Sequence, residues 1–353
     1  MIQASQTVLE EAINIFKNEI APISDDLDNN SEKLAKALDL LYAQELLALK
    51  CEPNTGLKIL AEKEYRKFHI EAFRISGALA FLQHQAQTAA RLISLSENTE
   101  LKSDYLAPMS RGEKKVGLGY AHLRKEGPPK VIAEKTENGY LLNGTVPWVT
   151  GEGLFNEFVI GANTSNGGYF YGITPYNTYD NSAQSTQPHE FIAMNSTRVV
   201  SVRLKNYFIP TEKVIMIKQD ELGRANALTH GLSAIGCAWG AIDHCKDLLK
   251  SNPSRPNENS IEDFEKQLII LTKECLTIEN NADISAKISL KAKCTDLALK
   301  CAYGGIILSS AEAILTQNRA LRFYREILVH TLAAQTTEIR EASLRQLASN
   351  IQF

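Results

Sequence analysis

The spacing of apolar residues changes twice along this chain, and that double change constrains the fold more than any single motif. Up to Lys115 apolar residues recur at helical intervals. From Val116 to about Ile217 they fall in short runs separated by Gly, Asn and Pro, the pattern of strands and turns. After Gly223 the helical interval returns. Few folds place a β segment of this size between two helical thirds. The expectation is an α+β protein with a helical region over 1–115, a β domain over 116–220 and a helical region over 221–353.

Within the first region, Val8, Ala12, Ile15, Phe16 and Ile20 mark a helix ended by Pro22, and Ser31 is placed to cap a second helix through Leu34, Leu38 and Leu41. One long or briefly broken helical stretch is expected over 57–95, with Gly77 at a close helix contact, and a short helix in 102–114. Strands are expected at 116–123, 131–136, 140–142, 158–162, 169–173, 191–194, 199–202 and 214–217, with a turn at Asn143-Gly144 and a polar exposed loop over 177–188. In the last region, 225–250 carries a face of small residues (Gly231, Ala234, Gly236, Ala238, Gly240, Ala241) suited to tight helix packing. A helix over 284–310 is expected to break at Gly304-Gly305, and further helices lie in 261–280 and 320–347.

With 353 residues, 44% of them apolar and 22% charged, the composition is that of a globular protein with a large core. A net charge of −3 gives no electrostatic reason to expect nucleic acid or an anionic membrane as partner. No run approaches the roughly 20 apolar residues of a membrane span, and the polar, acidic start is unlike a secretory signal. The six cysteines are scattered without a C-x-x-C, as expected for reduced thiols of a cytoplasmic protein. No metal-ligand spacing, P-loop or Ser-His-Asp pattern is present.

The stretch 139–151, GYLLNGTVPWVTG, carries the clearest ligand-binding pattern. On an extended segment Trp148 and Thr150 project from the same face. An apolar plate beside a hydroxyl suits a planar heteroaromatic ring with polar edges, although a core Trp with a satisfied Thr has the same pattern.

Several strings, in order, resemble the acyl-CoA dehydrogenase superfamily of flavoproteins: Glu19-Ile20-Ala21-Pro22, the stretch from Lys102 to Glu113, Leu142-Asn143-Gly144 with Trp148-Val149-Thr150, the pair Gly304-Gly305, and Gln335-Thr336-Thr337-Glu338-Ile339. The resemblance implies an N-terminal helical domain, a central β-barrel-like domain and a C-terminal four-helix bundle. It implies FAD between the β domain and the C-terminal helices, in a homodimer or homotetramer acting on a small substrate such as an acyl-CoA. Trp148 and Thr150 then meet the isoalloxazine ring, the backbone of Tyr120, Ala121 and His122 its polar edge, and Gly304, Gly305, Thr336 and Glu338 the rest of the cofactor. Backbone N–H groups and a hydroxyl at the ring stabilise its anionic reduced form.

The chain departs from that family at the base that removes the proton α to the thioester. The matching residue is Ala334, and the alternative position on the first C-terminal helix is Asn226, followed by Ala227 instead of Arg. Glu221 is the nearest acid upstream of that position, and only Arg255 stands near the place of the family's pyrophosphate-binding Arg. His122, His230 and His330 are the candidate replacements for the base, each also readable as a structural hydrogen-bonder. Arg322 and Arg325 with Glu326 are expected at a salt-bridged subunit contact. Three readings follow. One is a flavin-dependent oxidoreductase (CH–CH donors) acting on an acyl thioester or related carbonyl compound with a non-standard acid/base group. The second is a monooxygenase using FMN or diffusible reduced flavin supplied by a reductase or electron-transfer partner, and the third a silent homologue that serves as a binding protein.

Overall fold

The computed structural model describes residues 2–53, 55–125, 127–219, 227–251 and 258–349. Five helices precede the first strand: α1 (Ile2–Ile15), α2 (Ser31–Ala43), α3 (Glu62–Ile75), α4 (Gly77–Ser94) and α5 (Thr99–Ser110). Asn30, not Ser31, caps α2 by accepting from the Lys33 N–H at 2.9 Å. The long helical stretch is broken at Ser76, whose extended backbone ends α3 and whose hydroxyl caps α4.

Strands β1 (Val116–Gly119), β2 (Val131–Lys135), β3 (Gly139–Val149), β4 (Glu157–Thr164), β5 (Tyr169–Pro175), β6 (Ala183–Ser185), β7 (Val200–Pro210) and β8 (Val214–Lys218) form one sheet. Its order is β6-β7-β3-β2-β4-β5-β8, with β1 parallel on β4. The expected first strand stops at Gly119, and Ala121–Arg124 forms a 3-10 turn instead. Residues 191–194 are not a strand, whereas β6 lies inside the expected loop. Asn143-Gly144 is a bulge in one continuous strand, not a turn: Gly144 has φ +133, and an added Cβ would lie 2.1 Å from the Lys130 carbonyl oxygen.

The second helical region comprises α6 (Thr229–Ser251), α7 (Glu258–Thr277), α8 (Ile284–Ser309), α9 (Arg319–Leu332) and α10 (Thr337–Ala348). Its centre is α6, which packs on α3, α7, α8 and α9. The small-residue face explains that density. A Cβ on Gly236 would lie 2.4 Å from the Ile70 carbonyl oxygen, and one on Gly240 2.4 Å from that of Arg74. These glycines thus serve contacts within the chain. The expected break at Gly304-Gly305 is absent, because both glycines are accommodated in a continuous helix: Gly304 faces Phe264 and Ile261, and Gly305 faces Ala320 and Cys245.

Ile284–Ile314 is long and apolar enough to cross a membrane by length and composition, contrary to the expectation from the sequence. In the fold α8 packs against α6, α7, α9 and α10 and buries Lys287, Lys291 and Asp296, with 39% of its most apolar stretch buried. All six cysteines are buried.

Arg322, Arg325 and Glu326 lie at an intrachain contact, correcting the expected subunit interface. Arg322 donates to the carbonyls of Ser24 and Ile75, and Arg325 to the Asp28 carboxylate at 3.1 Å. Glu326 is fully buried against the start of α4 and accepts from the Gly77 N–H. A Cβ on Gly77 would sit 2.7 Å from the Glu326 carboxyl carbon, so the glycine makes room for the acid.

Candidate functional site

The turn after β1, the first turn of α6, the middle of α8 and the end of α9 carry a set of nitrogen-bearing side chains that influence one another. His330 on α9 is buried, with neither ring nitrogen hydrogen-bonded. The Phe73 ring meets it edge-on at 4.8 Å, and the His230 ring stacks on it at 5.9 Å. Lys291, 1% exposed, donates through Nζ to the Ala333 carbonyl at 2.7 Å. That carbonyl belongs to the residue before Ala334, where α9 has ended and the backbone turns through φ +53.

Burial holds His330 far down, at about 3, helped by the charge of Lys291. Burial and nearby Lys50 and Arg124 hold His84 at about 4, and His230 is also well below its ordinary value through burial and its neighbours His330 and Lys291. These imidazoles are therefore neutral at pH 7. Burial, with Arg124 adding to it, lowers Lys291 to about 8. Among the described residues, no carboxylate is a main influence on His84, His230, Lys291 or His330. Lys291 is thus the member of this set that carries a readily transferable proton at neutral pH, since a guanidinium does not release one.

The other expected site residues are distributed as follows. His122 is buried in the 3-10 turn near the Gly161 backbone, its ring nitrogens lack hydrogen bonds of good geometry, and burial lowers it to about 4. Tyr120 packs edge-on against Tyr171 at 5.6 Å. Thr150 is buried, and its carbonyl accepts from the Tyr176 hydroxyl at 2.6 Å. Trp148 is 46% exposed beside His189 and Phe191. A bulge and a backbone φ of +59 at Trp148 break the strand alternation that the shared-face expectation assumed. Thr336 caps α10 by accepting from the Ile339 N–H, and Glu338 is exposed in the first turn. Asn226, Glu221 and Arg255 lie outside the described residues.

The residues present fit a flavin. His230 and His330, whose rings stack at 5.9 Å, offer buried ring nitrogens without partners among the described residues, and Gln335 an unpaired carbonyl oxygen, while His122 has the Gly161 backbone beside it. Buried polar atoms are rarely left unpaired, and a ring with donors and acceptors along its edge supplies partners of both kinds. The initial N–H groups of a helical turn, such as that of 121–124, have no partner within the turn. The paired glycines add no independent support, since helix packing already accounts for them.

Sequence reasoning missed Lys291, Arg124, His69 and His84. Lys291 had a legible signal: at helical spacing it shares a face with Cys294, Thr295 and Ala298, so a lysine is placed on a buried stripe. His69 and His84 gave none, because their rings, 5.3 Å apart, meet only when α3 packs on α4.

No family model matches the chain. It is 20% identical to the 3-(aryl)acrylate reductase of Clostridium sporogenes (strain ATCC 15579), over 96% of each chain. Among solved structures it is similar to butyryl-CoA dehydrogenase from Megasphaera elsdenii (TM-score 0.74, 16% identity, 99% of each chain). It is also similar to a glutaryl-CoA dehydrogenase from Mycobacterium smegmatis in complex with FADH2 (TM-score 0.75, 14% identity, 100% of this chain and 96% of that one). These likenesses define a class by architecture, helical regions flanking a β region. The chain has the acyl-CoA dehydrogenase fold.

Proposed function

We propose that the chain is a flavin-dependent oxidoreductase acting at the carbon–carbon bond next to a carbonyl group, that it works in the reductive direction, and that Lys291 donates the proton. The observation that supports this is the make-up of the junction, a buried ammonium and neutral imidazoles beside Ala334, where the resembled enzymes carry a carboxylate. A carboxylate base suits removal of an α-proton; an ammonium near pKa 8 suits delivery of one.

FAD is the cofactor in this reading, held by Trp148, Thr150, the backbone of Tyr120, Ala121 and His122, and by Gly304, Gly305, Thr336 and Glu338. When bound and reduced, it supplies a hydride to the carbon β to the carbonyl. Lys291 gives its proton to the α-carbon, leaving a neutral amine that burial favours and that solvent reprotonates. The Arg124 guanidinium stabilises negative charge building on the carbonyl oxygen. An α,β-unsaturated acid or its thioester is the matching substrate class, in keeping with the acrylate named for the relative. Tyr303 and Ile307, exposed one turn apart on α8, support a homo-oligomer.

An absorbance spectrum of the purified protein tests the cofactor. Anaerobic reduction followed by addition of 3-phenylacrylate tests the chemistry: flavin reoxidation without oxygen is expected, slower by about 10²–10⁴ in Lys291→Gln. A protein that takes up no flavin would leave the binding-protein reading in its place, and product formed only with oxygen would favour the monooxygenase.

A further inference from the structure

A cavity of about 260 Å³ lies beside α3, α4 and the start of α6. Its wall carries Lys50, Arg66, Arg91 and Lys287, and Glu62 is the one carboxylate on it among the described residues. Glu62 is shared by Lys50 at 2.8 Å and Arg66 at 2.9 Å. Arg66 is otherwise committed to the carbonyls of Cys275 and Ile278. Arg91 and Lys287 donate to backbone carbonyls, those of Lys50 and Asn280, which neutralise no charge. Four cations thus face one anion. Partly buried cations are ordinarily paired, so the cavity is short of negative charge.

A second observation points into the same space. Gln87, on the cavity wall and 1% exposed, accepts from the Lys50 N–H through its side-chain oxygen, and its amide nitrogen has no partner among the described residues. That N–H₂ group is a buried donor awaiting an acceptor. Burial lowers Lys50 despite Glu62, and Arg91 and Arg66 add to the lowering, as expected of cations crowded without enough counter-charge. Tyr65, Leu228 and Leu232 supply the aromatic and apolar part of the lining, and His69, Thr88, Thr229 and Asn280 add neutral polar groups to it. His84 belongs both to this wall and to the electrostatic surroundings of His230 and His330.

We propose that this cavity binds a small organic carboxylate, with the anion held by Lys50, Arg91 and the Gln87 amide and the organic body directed along Tyr65 and Leu232 toward His84. The cavity is below the ~300–1,000 Å³ of drug-sized pockets, so the ligand is of the size of a single-ring acid. The proposal deepens the preceding reading, because it names how an acid substrate is anchored, and it rests on that reading only for the reaction that follows.

Isothermal titration calorimetry on the full chain, with and without added flavin, tests it using 3-phenylacrylate, its neutral amide and inorganic phosphate. The acid is expected to bind at least 10-fold more tightly than the amide and than phosphate. Arg91→Gln and Lys50→Gln should each weaken the acid at least 5-fold and leave the amide unchanged, with melting curves like that of the parent protein. Equal affinity for acid and amide, phosphate binding as tight as the acid, or undiminished acid binding in both folded variants would each overturn the proposal. If either variant fails to fold, the acid-to-amide ratio in the parent protein decides. A protein that binds the acid but no flavin removes the oxidoreductase reading and keeps this site; a flavin-loaded protein that ignores the acid does the reverse.

Discussion

The Lys291 ammonium lies 2.7 Å from the carbonyl oxygen of Ala333, so a buried cation closes the C-terminal end of α9 just before the left-handed turn at Ala334. A cation at a helix C-terminus is favoured by the helix dipole, yet this one is removed from water and is opposed by the charge of Arg124. The folded state therefore holds the Lys291 proton less firmly than the unfolded chain does, with a pKa near 8 against 10.5. Between these values the unfolded chain binds more protons, so stability contributed by this group rises with pH across that window. Lys291→Met should lose that rise. The stability difference between variant and parent, measured by urea denaturation at pH 7 and pH 10, should change by up to about 3 kcal/mol in favour of the parent at the higher pH. A difference independent of pH would show that Lys291 is not perturbed.

Glu326 titrates in the opposite sense. Burial raises its pKa to about 7, despite Arg322 and the Gly77 N–H. The folded state holds the proton more firmly, so this group costs stability as pH rises from 4.5 through 7. Glu326→Gln keeps an acceptor for the Gly77 N–H and removes the buried charge. It is expected to be more stable than the parent at pH 8, by about 1–3 kcal/mol, with the gain vanishing near pH 5. A loss of stability at pH 8 would mean that the Arg322 interaction outweighs desolvation.

Gly240→Ala should destabilise. The new methyl would lie 2.4 Å from both the Arg74 carbonyl oxygen and the Phe323 ring, so α6 must move away from α3 and α9. Overpacking of this kind costs about 1–3 kcal/mol, readable as a lowered denaturation midpoint at unchanged slope.

What could be read from the sequence and what could not divide on physical grounds. The helical–β–helical order was legible because burial imposes its period on whichever element is being buried, and that order carried the fold. Residues 143–144 misled because a glycine at positive φ serves a bulge as readily as a turn. Gly304-Gly305 misled because small residues inside a helix mark close packing as often as a break. The junction around His330 was only partly legible: two of its members were named in advance, but His84 and Arg124 reach it from elements distant in sequence. Lys291 was overlooked because a lysine in a helix is normally solvated, although its position on the apolar stripe marked it as an exception.

Trp148 separates cofactor binding from folding. Its indole is half exposed on a β bulge beside His189 and Phe191. Trp148→Ala should therefore change stability by less than about 1 kcal/mol, as substitutions outside the core do, while weakening flavin binding. Fluorescence titration with FAD measures the latter. Affinity within twofold of the parent, in a variant with an unchanged melting curve, would remove Trp148 from the cofactor site.

Ala334→Glu should not turn the protein into an efficient acyl-CoA dehydrogenase, even though it restores the residue type found at the matching position of the resembled family. The backbone at Ala334 is at φ +53, a region where a longer side chain gains nothing and a glycine is easier to place. More important is what surrounds the site. Lys291 is bonded to the preceding carbonyl, so a new carboxylate would lie close to an ammonium in a buried setting. An adjacent opposite charge lowers a carboxylate pKa by about 1–3 units, which weakens it as a base for an α-proton. The pair would also occupy the space in which Lys291 is proposed to meet substrate. Flavin-loaded Ala334→Glu should therefore turn over short, medium and long saturated acyl-CoAs with an artificial electron acceptor far below ~1 s⁻¹, the low end of ordinary enzymes. The double variant Ala334→Glu/Lys291→Met, freed of the ion pair, should exceed the single variant. Turnover of the single variant at or above that rate would show that the missing carboxylate alone separates this chain from the dehydrogenases, and that Lys291 plays no part in setting its chemistry.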